Sequence, residues 1–203
     1  MRAVLSLSLF LFGLLSATAG AADITSEYTE IDVERDCAVF EAAAEGEGDW
    51  RTMTCAGWRG YPVIMQYNDM RESIFYGFPP AGDGALVWES FDAFNRADMR
   101  IEWRILADGA ARLPLATIHR WFVSDADDPE EEIEVLVVEK VASMAERDGC
   151  AIGYVVATGN ADANEKARRI ADEQTVDFVC GADQPVFDTG DVSVPSFNRV
   201  ENE

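Results

Sequence analysis

Histidine and lysine are almost missing from this chain of 203 residues: His119 is its one histidine, and Lys140 and Lys166 are the only lysines among 16 bases. A single imidazole excludes a histidine-rich metal site and any mechanism that needs two histidines. No pair of cysteines has the C-x-x-C spacing, which argues against a thioredoxin-like redox site or a zinc ribbon. Phosphate-cradling glycine patterns fail as well, because "EGEG" runs into Asp49 and Trp50 and no G-x-x-x-x-G-K-[ST] occurs. Without a G-x-S-x-G elbow, His119 has no evident nucleophile to serve, and a structural histidine on a strand is the expectation. Past residue 22 no apolar run is long enough to span a bilayer, and neither a repeat nor a linker divides the chain.

What is present begins with "MRAVLSLSLFLFGLLSATAGAA", residues 1–22, where Arg2 precedes an apolar run that ends in small residues. That is the pattern of a secretory signal peptide, with cleavage expected after Ala19, Ala21 or Ala22. The first cysteine, Cys37, lies well beyond it and offers no thiol for lipid attachment, so a periplasmic or secreted protein without a membrane anchor is expected. Residues 23–183 are expected to form one domain, and 184–203 a flexible C-terminal tail rich in Pro and Gly with no clear period.

Four cysteines in an exported chain make two disulfides the default. Cys37 is paired with Cys55 and Cys150 with Cys180 on proximity along the chain alone, each bridge contributing about 3 kcal/mol. Acids outnumber bases 38 to 16, a formal charge of −22, and loss of Arg2 with the leader makes the product one charge more negative. Nucleic acid is thereby disfavoured as a partner. A solvated acidic surface is the plain explanation; attraction of a cationic partner or of calcium is the functional one.

Along the chain, "SEYTEIDV" reads as a strand running into a cysteine-bearing turn, and "AAAEGEGDW" breaks it. "DWRTMTCAGWRGYPVIMQYND" reads as two strands joined tightly at Gly57 to Gly60, and "RESIFYGF" as another. In "ALVWESFDAFNR" the three-residue recurrence of Trp88, Phe91 and Phe94 predicts a short helix. "RIEWRIL" alternates strictly, with Ile101, Trp103 and Ile105 on one face and Glu102 and Arg104 on the other, which predicts a half-buried strand. "LPLATIHRWFV" and "IEVLVVEKVA" follow as partner strands around an acidic tip, "DADDPEEE".

"CAIGYVVAT" leads into "GNADANEKARRIAD", the best-defined helix: Asp162 and Glu165 suit its N-terminus, Arg168 and Arg169 the other end, and Ala163, Ala167, Ile170 and Ala171 form one face. An anion site at that N-terminus is the weaker reading, since Asp162 already occupies it. "VDFVC" is expected as a short strand ending at Cys180. The fold class is therefore α+β, a mainly antiparallel sheet with one or two helices packed on it and disulfide-stapled.

The candidate chemistry is thin. Asp125 to Glu134 holds seven carboxylates in ten residues, but an EF-hand loop from Asp125 would put Pro129 at position 5 and Glu130 where glycine is needed. A carboxylate-based hydrolase is an alternative, with Glu89 and Glu102 the first acids to consider. A calcium-binding module at the tip is another. No catalytic residue, metal ligand or cofactor is assigned. An exposed recognition surface carrying Trp58 and Tyr61, together with Asp125, Asp127, Asp128 and Glu130, is the preferred interaction site.

"RGYPVIMQYND", "IEWRI", "PLATIHRW", "CAIGYVVATGNADANEKARRIAD" and "FVC" together resemble a group of uncharacterised exported proteins of Gram-negative, chiefly alphaproteobacterial, origin. The resemblance runs from Tyr28 to Cys180 and implies a periplasmic or secreted location, without an activity or a site. The expected function is a non-catalytic binding or accessory module of the periplasm or envelope, for instance an inhibitor of a cationic, lysozyme-like enzyme.

Overall fold

A computed structural model describes residues 23–82 and 86–200, so the leader and residues 201–203 lie outside the described residues. The spine is a hairpin of two long strands, β7 (Asn95–Asp108) and β8 (Ala111–Ser124). Around it the main sheet takes the order β1-β7-β8-β9-β10-β11, with β1 (Asp23–Glu30), β9 (Glu132–Lys140), β10 (Ala151–Val156) and β11 (Val186–Asp188). Every pairing in it is antiparallel except β10 with β11. A second antiparallel sheet, β2 (Cys37–Ala42), β3 (Trp50–Ala56), β4 (Pro62–Asn68) and β5 (Arg71–Tyr76), packs on its inner face. The short helix α1 (Val33–Asp36) joins β1 to β2, and helix α2 (Ala163–Gln174) covers part of the outer face of the main sheet.

Alternation along the spine sorts its side chains. Ile101, Trp103 and Ile105 of β7 and Trp121 and Val123 of β8 point inward, where they meet Met53, Val63, Met65, Ile74 and Tyr76 of the smaller sheet. On the other side, Ala116, Ile118, Leu136, Val138 and Ile152 meet Ala163, Ala167, Ile170 and Ala171 of α2, the face expected from the sequence. Gly153 permits that approach, because a Cβ there would lie 2.8 Å from Cγ2 of Ile170.

The outer face of β7 differs from expectation. Glu102 and Arg104 are each only 7% exposed, so the strand is buried on both sides and not half-buried. They stay charged under the helix by pairing. Arg104 bonds both carboxylate oxygens of Asp172 at 2.8 and 2.6 Å and also donates to Ser26, while Arg168 bonds both oxygens of Glu102 at 2.6 and 3.0 Å. Burial alone would push Glu102 up, but hydrogen bonds from Arg168 and Ser26 and the charges of Arg168 and Arg104 outweigh it and hold the carboxyl below its usual range. Arg168 therefore clamps helix to sheet from the middle of α2 and not from its C-terminal end. The carboxylate of the N-cap residue Asp162 makes no capping bond.

Three further expectations are corrected. Residues 86–96 of "ALVWESFDAFNR" are not helical: Trp88–Phe91 is the strand β6, and β7 already begins at Asn95. Asn95 explains the turn between them, its amide nitrogen bonding Ser90 Oγ and the carbonyl oxygen of Ala93 at 3.1 and 2.8 Å while its oxygen accepts from the Glu72 N–H. "VDFVC" is not a strand either, since the Phe178 N–H bonds the Gln174 carbonyl beyond the end of α2 and the ring packs into the outer core. The segment expected as a loose tail supplies β11, beside β10, and β12 (Phe197–Val200), beside β6. Phe187 and Phe197 flank Tyr154 at 4.8 and 4.5 Å between ring centroids, a packing partner that no local period reveals.

Both disulfides join the expected cysteines, Cys37 with Cys55 and Cys150 with Cys180, and they suit an oxidising compartment. The second closes a separation of 30 residues around β10 and α2. Replacing Cys150 and Cys180 together by Ser is expected to lower stability by about 3 kcal/mol, a fall in Tm of about 10 °C in calorimetry.

Candidate functional site

The loops at one end of the sandwich are tied to each other by backbone bonds. The Asp69 N–H donates to the Asp49 carbonyl, the Asn95 N–H to that of Met70, and the Ser124 N–H to that of Phe94, at 3.2, 3.1 and 2.9 Å. This chain joins the β2–β3 loop, the β4–β5 turn, the start of β7 and the end of β8, after which the acidic tip begins. A cavity of about 340 Å³ opens here, walled by Tyr67, Met70, Phe94 and Phe122 and by Pro129 of the tip. Phe94 and Met70 are 49% and 55% exposed, a large apolar surface in so acidic a chain.

The turn that presents Met70 is strained. Asp69 and Met70 have φ of 50° and 61°, the left-handed values of a two-residue hairpin turn that Asn-Gly would fill with less strain. Each costs about 1 kcal/mol or more, and the bond from Asn95 holds the turn in place. Arg96 lies over the Phe122 ring at 4.0 Å and pairs with Glu132 at 2.8 Å, so this cation is already engaged. Glu72, in the cavity wall, is raised by burial, opposed by the hydrogen bond from the Ala97 N–H.

Around this apolar cavity the carboxylates are dense. Glu45, Glu47 and Asp49 lie in the β2–β3 loop, Asp69 in the turn, and Asp125, Asp127, Asp128, Glu130 and Glu131 in the tip. Within the tip, Asp125 and Asp128 each accept from the N–H two residues on, at 2.8 and 3.2 Å, which fixes the loop shape. Among the described residues no three His, Cys, Asp or Glu groups come together as a metal cluster.

The surface expected from the sequence is divided by the fold. Trp58 is only 5% exposed, its indole N–H donating to Glu27 at 2.5 Å, so it belongs to the core. Tyr61 is half-buried against Phe78 and lines a separate hollow with Leu113, Pro114 and Leu115 at the start of β8. Asp125, Asp127, Asp128 and Glu130 follow the far end of that 14-residue strand, so the two halves of the expected patch stand about 30 Å apart. The aromatic residues that do adjoin the acids are Tyr67, Phe94 and Phe122. Their adjacency depends on the packing of one sheet on the other, which no local pattern in the sequence reveals.

Glu89 and Glu102 do not form a pair. Glu102 lies on the outer face of the main sheet, whereas Glu89 sits beside Ala151, Tyr154 and Phe197 in a different cavity. Glu89 is raised by burial and held by the Ala151 N–H and by Arg199. Behind it, Glu139 is raised well above the usual range by burial and then by the charge of Glu89. His119 is fixed between the Tyr76 hydroxyl at Nδ1 and the Asp98 carbonyl oxygen at Nε2, 2.5 and 2.6 Å away, and burial lowers it to about 4. It is a structural histidine, as its strand position suggested. Comparison with family models, curated proteins and solved structures finds no match to the chain.

His119 and Glu139 give opposite pH signatures. The folded value of His119 is depressed, so its contribution is present above about pH 6.5 and is lost, by about 3 kcal/mol, as pH falls to its folded value of about 4. The folded value of Glu139 is raised, so its contribution is present at low pH and is lost as pH rises through the carboxylate range. Denaturant unfolding between pH 4 and 8 is expected to show Glu139→Gln gaining stability over the wild type as pH rises, and His119→Gln gaining on it as pH falls.

Proposed function

We propose that the protein is an exported, non-catalytic binding module that docks a cationic partner at the acidic end of its sandwich. The observation that carries this reading is the juxtaposition of an apolar cavity, with Met70 and Phe94 at its mouth, and the carboxylates of three neighbouring loops. An apolar side chain enters the cavity while flanking Lys or Arg residues meet the rim, giving a desolvated anchor inside a ring of long-range attraction. The two disulfides and the signal-like leader support a periplasmic or secreted location, as does the resemblance to exported Gram-negative proteins. A basic enzyme of the lysozyme type, inhibited by occlusion, is the partner class that fits both the charge and the compartment.

Titration against a cationic lysozyme by calorimetry tests the reading. Binding is expected to weaken about tenfold from low to moderate salt. Asp125→Asn with Asp127→Asn and Asp128→Asn keeps the turn acceptors and removes three charges; it is expected to weaken binding about tenfold and flatten the salt dependence. Phe94→Ser is expected to weaken it at every salt concentration. Absence of binding at low salt, or unchanged binding by both variants, contradicts the proposal.

A further inference from the structure

Residues 189–196 run as a strap over the inner core between β11 and β12, with Val192 and Val194 packed against it. The strap is anchored at both ends, by β11 on β10 and by β12 on β6, and the Asp92 N–H donates to the Ser196 carbonyl at 2.8 Å. Between strap and main sheet lies a cavity of about 400 Å³. Phe91, Val135, Tyr154 and Val156 form its floor and are at most 3% exposed. The covering side is more open: Phe187 is 59% exposed, and Val194, Pro195 and Phe197 are half-buried, so the apolar surface that a ligand touches comes mainly from these four.

No Asp, Glu, Lys, Arg or His lines this cavity, in a chain of which 27% is charged. Its remaining wall residues, Thr189, Ser196 and Asn198, are polar but uncharged. The Glu89–Arg199 pair lies beyond Tyr154, Phe187 and Phe197, in the neighbouring cavity that shares those three rings. A charged ligand would therefore lose its hydration here without meeting a counter-charge. The rim adds a bias against anions, since the Asn198 amide donates to Asp92 at 2.6 Å and Asp191 follows two residues after Thr189. We infer that this cavity is a binding site for a small uncharged aromatic molecule of two or three rings. Aromatic walls suit such a ligand, because Phe91, Tyr154, Phe187 and Phe197 offer ring edges and faces to a further ring. Its size follows from the volume: an apolar cavity of about 150 Å³ takes one benzene ring. The site shares no lining residue with the acidic end, so it stands or falls separately from the docking proposal.

Phenylnaphthylamine, whose fluorescence rises in apolar surroundings, serves as the probe with the full mature chain. Anilinonaphthalene sulfonate, the same rings with one negative charge added, is the competing arm. Saturable binding of the uncharged probe is expected, with the sulfonate about tenfold weaker or worse. Val194→Asp places a carboxylate in the wall, and Ser196→Trp fills the cavity from an exposed position; each is expected to lower probe affinity about tenfold. Phe94→Ser, in the cavity of the acidic end, is the control and is expected to leave probe binding unchanged. No saturable binding, a sulfonate that binds as tightly as the uncharged probe, unchanged affinity in both strap variants, or an equal loss in Phe94→Ser would each overturn the assignment.

Discussion

The antiparallel pairing of β7 with β8 is the constraint on which the rest of the molecule depends. Fourteen residues on each strand give a hairpin long enough to serve two layers at once. Its inward residues, Trp103 and Trp121 foremost, are fully buried against the smaller sheet. The outward residues carry α2, through alanines where the helix approaches closely and through Arg104 and Glu102 where it does not. Because the hairpin spans the molecule, it also separates the acidic tip at one end from the Tyr61 hollow near the other.

Strong negative charge shapes how that architecture is held. Few cations are available, and the fold spends them where a carboxylate is buried or half-buried, as with Arg104, Arg168 and Arg199. Arg serves better than Lys in such places, since its fork satisfies both carboxylate oxygens and holds its proton at any ordinary pH. The carboxylates left over lie mostly on loops, where water screens them, and the β8–β9 tip concentrates them. Removing one partner of Arg104 would strand a buried charge, a larger loss than the net value of the pair.

Much of this was legible in the sequence. Period-two alternation located the middle of β7, the apolar runs beyond it were read as the partner strands β8 and β9, the alanine face located α2, and proximity along the chain identified both disulfides. What could not be read depended on distant partners. Trp88, Phe91 and Phe94 gave a helical spacing, but β6 is a strand because β12, more than a hundred residues later, pairs with it. Glu102 and Arg104 looked solvent-facing because the helix that covers them is remote in the chain. Trp58 looked like a surface anchor, yet its partner is Glu27 on β1. The cavity beside the acidic tip was missed for the same reason: Tyr67, Phe94, Phe122 and Pro129 converge only once the two sheets are packed.

The central claim is that the acidic end, and no other face, receives a cationic protein. Mapping amide shifts on the mature chain as a cationic lysozyme is added tests it most directly. The account predicts that perturbations at low salt concentrate in 45–49, 69–72, 94–96 and 122–132 and fade as salt rises. Perturbations spread evenly over the surface, or centred on the Tyr61 hollow, would contradict it.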